Sequence, residues 1–169
     1  LPETLKTRIR ILGVDPGTQI TGVGVIEINE KGQPESCYYG SIRTNIKEPL
    51  AMRLKKIYSG LVEVIERYKP HFIALEDIFY SENIKTAIVM GHARGVSLLA
   101  AINLGIEPSE YSPREVKLAV VGRGDASKEQ VKYMVKNILQ IHEEIHPVDA
   151  ADALAVALCH FNRLNRIRN

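Results

Sequence analysis

The chain has 169 residues, of which 45% are apolar and 25% charged, and its 22 Lys and Arg against 20 Asp and Glu leave a net charge of +2. That length suits one domain with a real core. No apolar run is long enough to span a bilayer, and a near-neutral balance by itself argues little for a nucleic-acid partner. Cys37 and Cys159 are the only cysteines and form no CxxC pattern, which speaks against a disulfide framework or a zinc site and for a reducing, cytoplasmic setting.

The first seven residues, LPETLKT, read as a frayed leader without the apolar core of a signal peptide. A single domain is expected over 8–164, followed by a short basic tail at 165–169. Residues 8–15 and 20–28 read as strands joined by a tight turn, Asn29-Glu30-Lys31-Gly32 as a hairpin signal, and 36–44 as a third strand, so the chain opens on an antiparallel meander. Leu50, Leu54, Ile57, Leu61, Ile65 and Tyr68 then recur at helical spacing, predicting an amphipathic helix over 48–68 that Pro70 closes. HFIALE (71–76) is a short buried strand.

A second helix is predicted over 82–104. Gly91 and Gly95 weaken it by about 1 kcal/mol each relative to Ala, so close packing against the sheet or another helix is expected of them. A fifth strand at 106–111, a helix at 113–121, the loop Gly122-Arg123-Gly124 and helices at 127–141 and 148–164 complete the chain. Strands that alternate with helices imply parallel neighbours. The expected fold is α/β, a mixed five-stranded sheet flanked by helices.

Four acids stand out. Asp15 ends the first strand and Glu76 the fourth, and apolar residues run right up to each. Parallel pairing of these strands would set the two acids side by side, beyond the carboxyl ends where open sheets bind ligands. In PVDAADALAVAL (147–158), Asp149 and Asp152 are i and i+3 on one helix face, roughly 5–6 Å apart. Val156 and His160 continue that face. A helix this apolar is largely buried, and two like charges roughly 5 Å apart repel by about 3 kcal/mol at an effective dielectric of about 20.

Taken singly, Asp15 and Asp149 have ordinary explanations, whereas Glu76 at the end of a buried strand is harder to dismiss. Asp before Pro-Gly is common turn chemistry, and Asp149 suits a helix N-terminus. The four together need a counter-charge, and oxygen-only ligands suit a hard cation such as Mg²⁺ or Mn²⁺. Two such ions would activate a water and hold the departing 3′-oxygen in phosphodiester cleavage, leaving a 5′-phosphate and a 3′-hydroxyl. With four acids neutralised in this way, 22 cations would face 16 acids, a balance of +6. His71, His92, His142 and His160 lack metal-ligand spacing.

Several segments, in order and spacing, resemble the RuvC family of Holliday junction resolvases, which have the RNase H-like fold. They are ILGVDPGTQITGVGV, SIRT (41–44), ALEDIFYSEN (74–83), GHARGV (91–96), REVKLAVVGRGDASKEQV (114–131) and DAADALAVAL (149–158). The resemblance covers about residues 8–162. It implies a homodimeric, Mg²⁺-dependent endonuclease that nicks opposing strands of a four-way DNA junction symmetrically, beside the RuvA–RuvB branch-migration complex.

The family's catalytic tetrad falls on Asp15, Glu76, Asp149 and Asp152. Phe79 falls where an aromatic stacks on a junction base, at about 1–3 kcal/mol per base. Lys117 and Lys128 match functional lysines, and Lys117 would sit near the scissile phosphate, where a cation stabilises developing charge. Thr18 and the glycines after Asp15 are expected to keep backbone bulk low beside that phosphate.

Arg114 and Arg123 belong to residues 112–136, where six cations outnumber three acids. Such a stretch either neutralises phosphates or is an ordinary solvated helix face. An RNA-processing or junction-binding relative of the same fold is the alternative function. An actin-like phosphotransferase also carries a loop like Asp15-Pro16-Gly17-Thr18, but would need a second lobe.

Overall fold

The computed structural model describes residues 8–77 and 84–168. Three strands, β1 (Ile9–Asp15), β2 (Ile20–Ile28) and β3 (Pro34–Arg43), form the antiparallel meander. Helix α1 (Leu50–Tyr68) leads to β4 (Phe72–Glu76), and α2 (Ile84–Asn103) to β5 (Pro108–Tyr111). Helices α3 (Pro113–Val121), α4 (Lys128–Ile138) and α5 (Val148–Arg168) follow. The sheet order is β3-β2-β1-β4-β5, with β1–β4 and β4–β5 parallel. This is the mixed five-stranded sheet expected from the sequence.

Local chemistry accounts for the helix ends. Ser112 and Ser127 each accept a hydrogen bond from the backbone N–H three residues on, and the side chains of Glu115 and Gln130 accept one from the cap residue's own backbone N–H, so α3 and α4 begin with capping boxes. Helix α1 ends at Tyr68, as expected, and the residue before Pro70 caps it: Lys69 adopts φ 47° and donates its N–H to the Ile65 carbonyl. Helix α5 runs on to Arg168, so the segment read as a basic tail is described as the last turn of that helix up to there.

The pleat of β1 sorts the core into two layers. Leu12 and Val14 face α1 and α2, together with Val23, Val25, Ile73 and Leu75. Ile11, Gly13 and Asp15 face α5, as do Gly22, Gly24, Ile26 and Ala74. Gly13 stands opposite both Gly24 and Ala74 in the register. Three adjacent strands thus present a row without bulk, and α5 lies on it with Ala150, Ala153 and Ala157 fully buried.

The approach is backbone to backbone. A Cβ on Gly13 would stand 1.9 Å from the Ala153 carbonyl oxygen, and one on Gly22 would stand 2.0 Å from that of Asp149. A Cβ on Gly24 would meet the Leu154 side chain at 2.8 Å. Gly22 and Gly24 therefore make room for a helix, which corrects the expectation that they clear space beside a phosphate. Gly17 shapes the turn, its Cβ position lying 2.3 Å from the Ile20 carbonyl oxygen. Gly91 and Gly95 depart from expectation in the opposite sense: both are exposed, and nothing lies within 4 Å of a Cβ on either.

Candidate active site

The close approach of α5 is what assembles the acids. Asp15 follows Val14, and Glu76 follows Leu75, the last registered pair of the parallel β1–β4 ladder. Both carboxylates therefore leave the sheet side by side, toward α5. Asp15 is opposite Gly22, over which the Asp149 backbone rests. One helical turn on, Asp152 reaches the same region.

The charges of Glu76, Asp152 and Asp149 all act on Asp15. Its carboxyl is pushed up to about 8, first by burial and then by those three neighbours, and it shares a hydrogen bond with Glu76. Burial also pushes Glu76 up, followed by the charge of Asp152, against the hydrogen bond from Asp15 and the ammonium groups of Lys128 and Lys117.

Glu27, at the other end of β2, shows how this chain treats a buried structural acid. It is bonded by Arg8 at 2.9 Å and by Arg10 at 2.8 Å. No arginine does the same for the four acids among the described residues. Their one ion pair there is Lys128 Nζ to Asp152 Oδ2, at 3.2 Å.

Lys117 and Lys128 line a cleft of about 200 Å³ with Glu76 and Asp152, floored by Val116, Val131 and Ala155. The two lysines named from sequence thus stand beside the acids. Arg114 and Arg123 do not line this cleft. Arg114 packs its stem over Gly124. Arg123 is turned to Asp125, with Nη2–Oδ2 at 3.1 Å, and both side chains are exposed. Phe79 lies outside the described residues.

Two sets of supports were not legible in the sequence. The Thr18 carbonyl accepts hydrogen bonds from Thr44 at 2.6 Å and Arg53 at 2.7 Å, and Thr21 donates to the Gly17 carbonyl at 2.8 Å. These bonds brace the turn after Asp15. On the other acid strand, Arg94 pairs with Asp77 and Glu110, and the Asp77 N–H donates to the Tyr111 carbonyl, extending β4–β5 pairing past Glu76. Thr44 and Arg94 fall in SIRT and GHARGV, so the motifs flagged the segments but not the contacts. His160, read as continuing the aspartate face, is buried against Tyr111, with Nδ1 2.7 Å from the phenol oxygen.

The donor chemistry fits a divalent cation: all four groups are carboxylates, without Cys or His, and none is compensated by an arginine among the described residues. As the side chains stand, no three His, Cys, Asp or Glu among the described residues converge on one ion-sized point. Asp15 and Glu76 bond each other, and Asp152 is engaged by Lys128.

Comparisons with known proteins agree with this architecture. Residues 11–160 match the family model described as crossover junction endodeoxyribonuclease RuvC. The enzyme of that name from Desulforamulus reducens is 50% identical over 151 residues, covering 89% of this chain and 91% of the relative. The one from Caldanaerobacter subterraneus subsp. tengcongensis is 46% identical over 160 residues, covering 94% and 96%. A solved structure of T. thermophilus RuvC in complex with Holliday junction substrate superposes with a TM-score of 0.88 at 33% identity, covering 94% of this chain and 96% of that one. The yeast mitochondrial Holliday junction resolvase Ydc2 shares the fold, with a TM-score of 0.66 at 14% identity. With a family model matched over 11–160, which takes in all four acids, and relatives at 46% and 50% identity over most of the chain, the chain belongs to the RuvC family of crossover junction endodeoxyribonucleases.

Proposed function

We propose that this chain resolves four-way DNA junctions by symmetric, metal-dependent phosphodiester cleavage, in the cytoplasm and beside the RuvA–RuvB complex. The observation that carries the reading is that Glu76, Asp149 and Asp152, from two other elements, all act electrostatically on the buried Asp15, in a chain that pairs the buried Glu27 with arginines. Asp15, Glu76, Asp149 and Asp152 would hold Mg²⁺, with Mn²⁺ as a substitute. Bound at this site, a pair of such ions supplies an activated water and stabilises the leaving 3′-oxygen.

The chain's own groups do the rest. The β1 and β4 ends present two carboxylates from rigid strands, and α5 presents two from a helix whose backbone is seated on glycine. Lys117, on the cleft wall, faces the phosphate and offsets charge that develops on it. Lys128 contributes a second cation to the DNA backbone. Phe79 is assigned to base stacking by family resemblance.

Two symmetric nicks need two sites, so the working unit is a homodimer. Helix α2 offers a surface for the second copy: Ile84, Ile88, Leu99 and Ile102 are each at least half exposed, along a stripe in which Gly91 and Gly95 are open. An apolar groove of about 500 Å³ runs beside it, against Leu54 and Val96. Sedimentation of the wild type is expected to show a dimer and Ile88→Glu a monomer. A dimer unchanged in Ile88→Glu moves the interface off α2.

The function itself is tested on a labelled four-way junction, a linear duplex and an RNA–DNA hybrid, each with Mg²⁺ and with EDTA. Paired nicks in the junction alone, abolished by EDTA, are expected. Preferential cleavage of the hybrid replaces this reading with the RNA-processing one.

A further inference from the structure

The ion pair between Lys128 and Asp152 carries a consequence for how the metal site fills. Asp152 sits on the buried helix α5 with its side chain 20% exposed, whereas that of Lys128 is 73% exposed. The Lys128 backbone is held by the Ser127 capping box at the start of α4. A fixed carboxylate is therefore met by a long, mobile cation on an anchored stem. The same ammonium acts electrostatically on Asp15 and Glu76. Lys117 lines the same cleft, yet the ion pair to Asp152 is made by Lys128.

We propose that Lys128 is an internal counter-ion that a divalent metal must displace from Asp152, so that a DNA phosphate drawing Lys128 away favours metal binding. The proposal rests on the reading of Asp152 as a metal ligand. Its basis is competition: the ammonium 3.2 Å from Asp152 Oδ2 occupies one of that carboxylate's acceptor sites, and its charge opposes a second cation there. Lysine is a common phosphate binder, and Lys128 is exposed enough to reach one. Linkage makes the effect reciprocal: if DNA tightens metal binding by some factor, metal tightens DNA binding by the same factor.

The test is Mn²⁺ binding to the DNA-free protein, followed by the electron paramagnetic resonance signal of free Mn²⁺. Lys128→Met is expected to bind Mn²⁺ about threefold to fivefold more tightly than wild type, the range appropriate to an exposed ion pair. Lys128→Arg keeps the pair and should stay close to wild type. Lys117→Met removes the same charge from the same cleft and should gain less. A Lys128→Met protein that binds no more tightly than wild type, or gains no more than Lys117→Met, overturns the proposal. Asp152→Asn separates this failure from failure of the metal reading. If Asp152→Asn leaves Mn²⁺ binding untouched, Asp152 is not a ligand and both fall. If it weakens binding while Lys128→Met changes nothing, only the counter-ion role falls.

Discussion

Helix α5 covers one face of the sheet, and α1 and α2 cover the other. Small residues recur in both regions. On the α5 side, Gly13, Gly22 and Gly24 have helix backbone or a leucine where a Cβ would be. On α2, Gly91 and Gly95 have open space. The first set lowers a helix onto strands until Asp149 and Asp152 reach Asp15. The second leaves a shallow apolar groove on the molecule's exterior. Glycine at regular spacing marks close approach in both places, but by an element within the chain in one and, in our reading, by a second copy in the other.

The largest expected effect is chemical and belongs to the α5 side. Asp15→Asn, Glu76→Gln, Asp149→Asn and Asp152→Asn should each slow single-turnover junction cleavage in Mg²⁺ beyond the roughly 10–100-fold typical of an outer-shell change, with junction affinity retained in gel-shift titration. A variant that cuts at the wild-type rate leaves the catalytic set.

Packing comes next. Gly13→Ala places a methyl 1.9 Å from the Ala153 carbonyl oxygen, a clash with backbone that cannot rotate away. It should cost about 3 kcal/mol or more, read as a lower midpoint in urea unfolding. A Gly13→Ala protein of unchanged stability would mean that α5 is not seated on β1.

Protonation of Asp15 gives a pH signature. Its carboxyl is raised in the folded state to about 8, so the native protein binds a proton that the unfolded chain releases at about pH 4. The associated stability is fully present below about pH 4 and is lost as pH rises toward about 8. In EDTA, the thermal midpoint should therefore fall across that window, and Asp15→Asn should flatten the fall. Saturating Mn²⁺ should oppose it by neutralising the ionised acids. A midpoint that rises with pH and ignores Asp15→Asn would show that the acids are not mutually repelling.

The smallest effect has the opposite sign and belongs to α2. Gly95→Ala meets nothing within 4 Å and gains helix propensity. In an Ile88→Glu background, with self-association removed, it should stabilise by about 1 kcal/mol. Destabilisation there would mean that Gly95 is packed after all, and the contrast between the two faces would be lost.

Much of this site is legible in one dimension. The apolar run ILGV ending in Asp15, the run FIAL ending in Glu76, and the i, i+3 aspartates on an alanine-rich helix each declare element and acid together. Their strand and helix periods place the acids at element ends. Lysines 117 and 128 were named for their place in a recognised segment, and both do stand in the cleft. What eluded the sequence involves partners far apart in the chain. Arg53 and Thr44 brace the turn after Asp15, and Arg94 clasps Asp77 and Glu110. Arg123, named as a candidate phosphate ligand, is paired with Asp125 two residues on, a contact that local charge counts do not reveal.

By itself, the sequence determined which segments become strands and helices, and which of them carry an acid at the end. Those properties follow from periodicity and turn chemistry within a few residues. Only the tertiary structure decided that Gly22 lies under Asp149 while Gly95 faces open space, and that Lys128 rather than Lys117 holds Asp152. A glycine has no side chain to declare a preference, and a lysine reaches in many directions. Their roles are set by what the fold brings opposite them, from segments up to more than a hundred residues away.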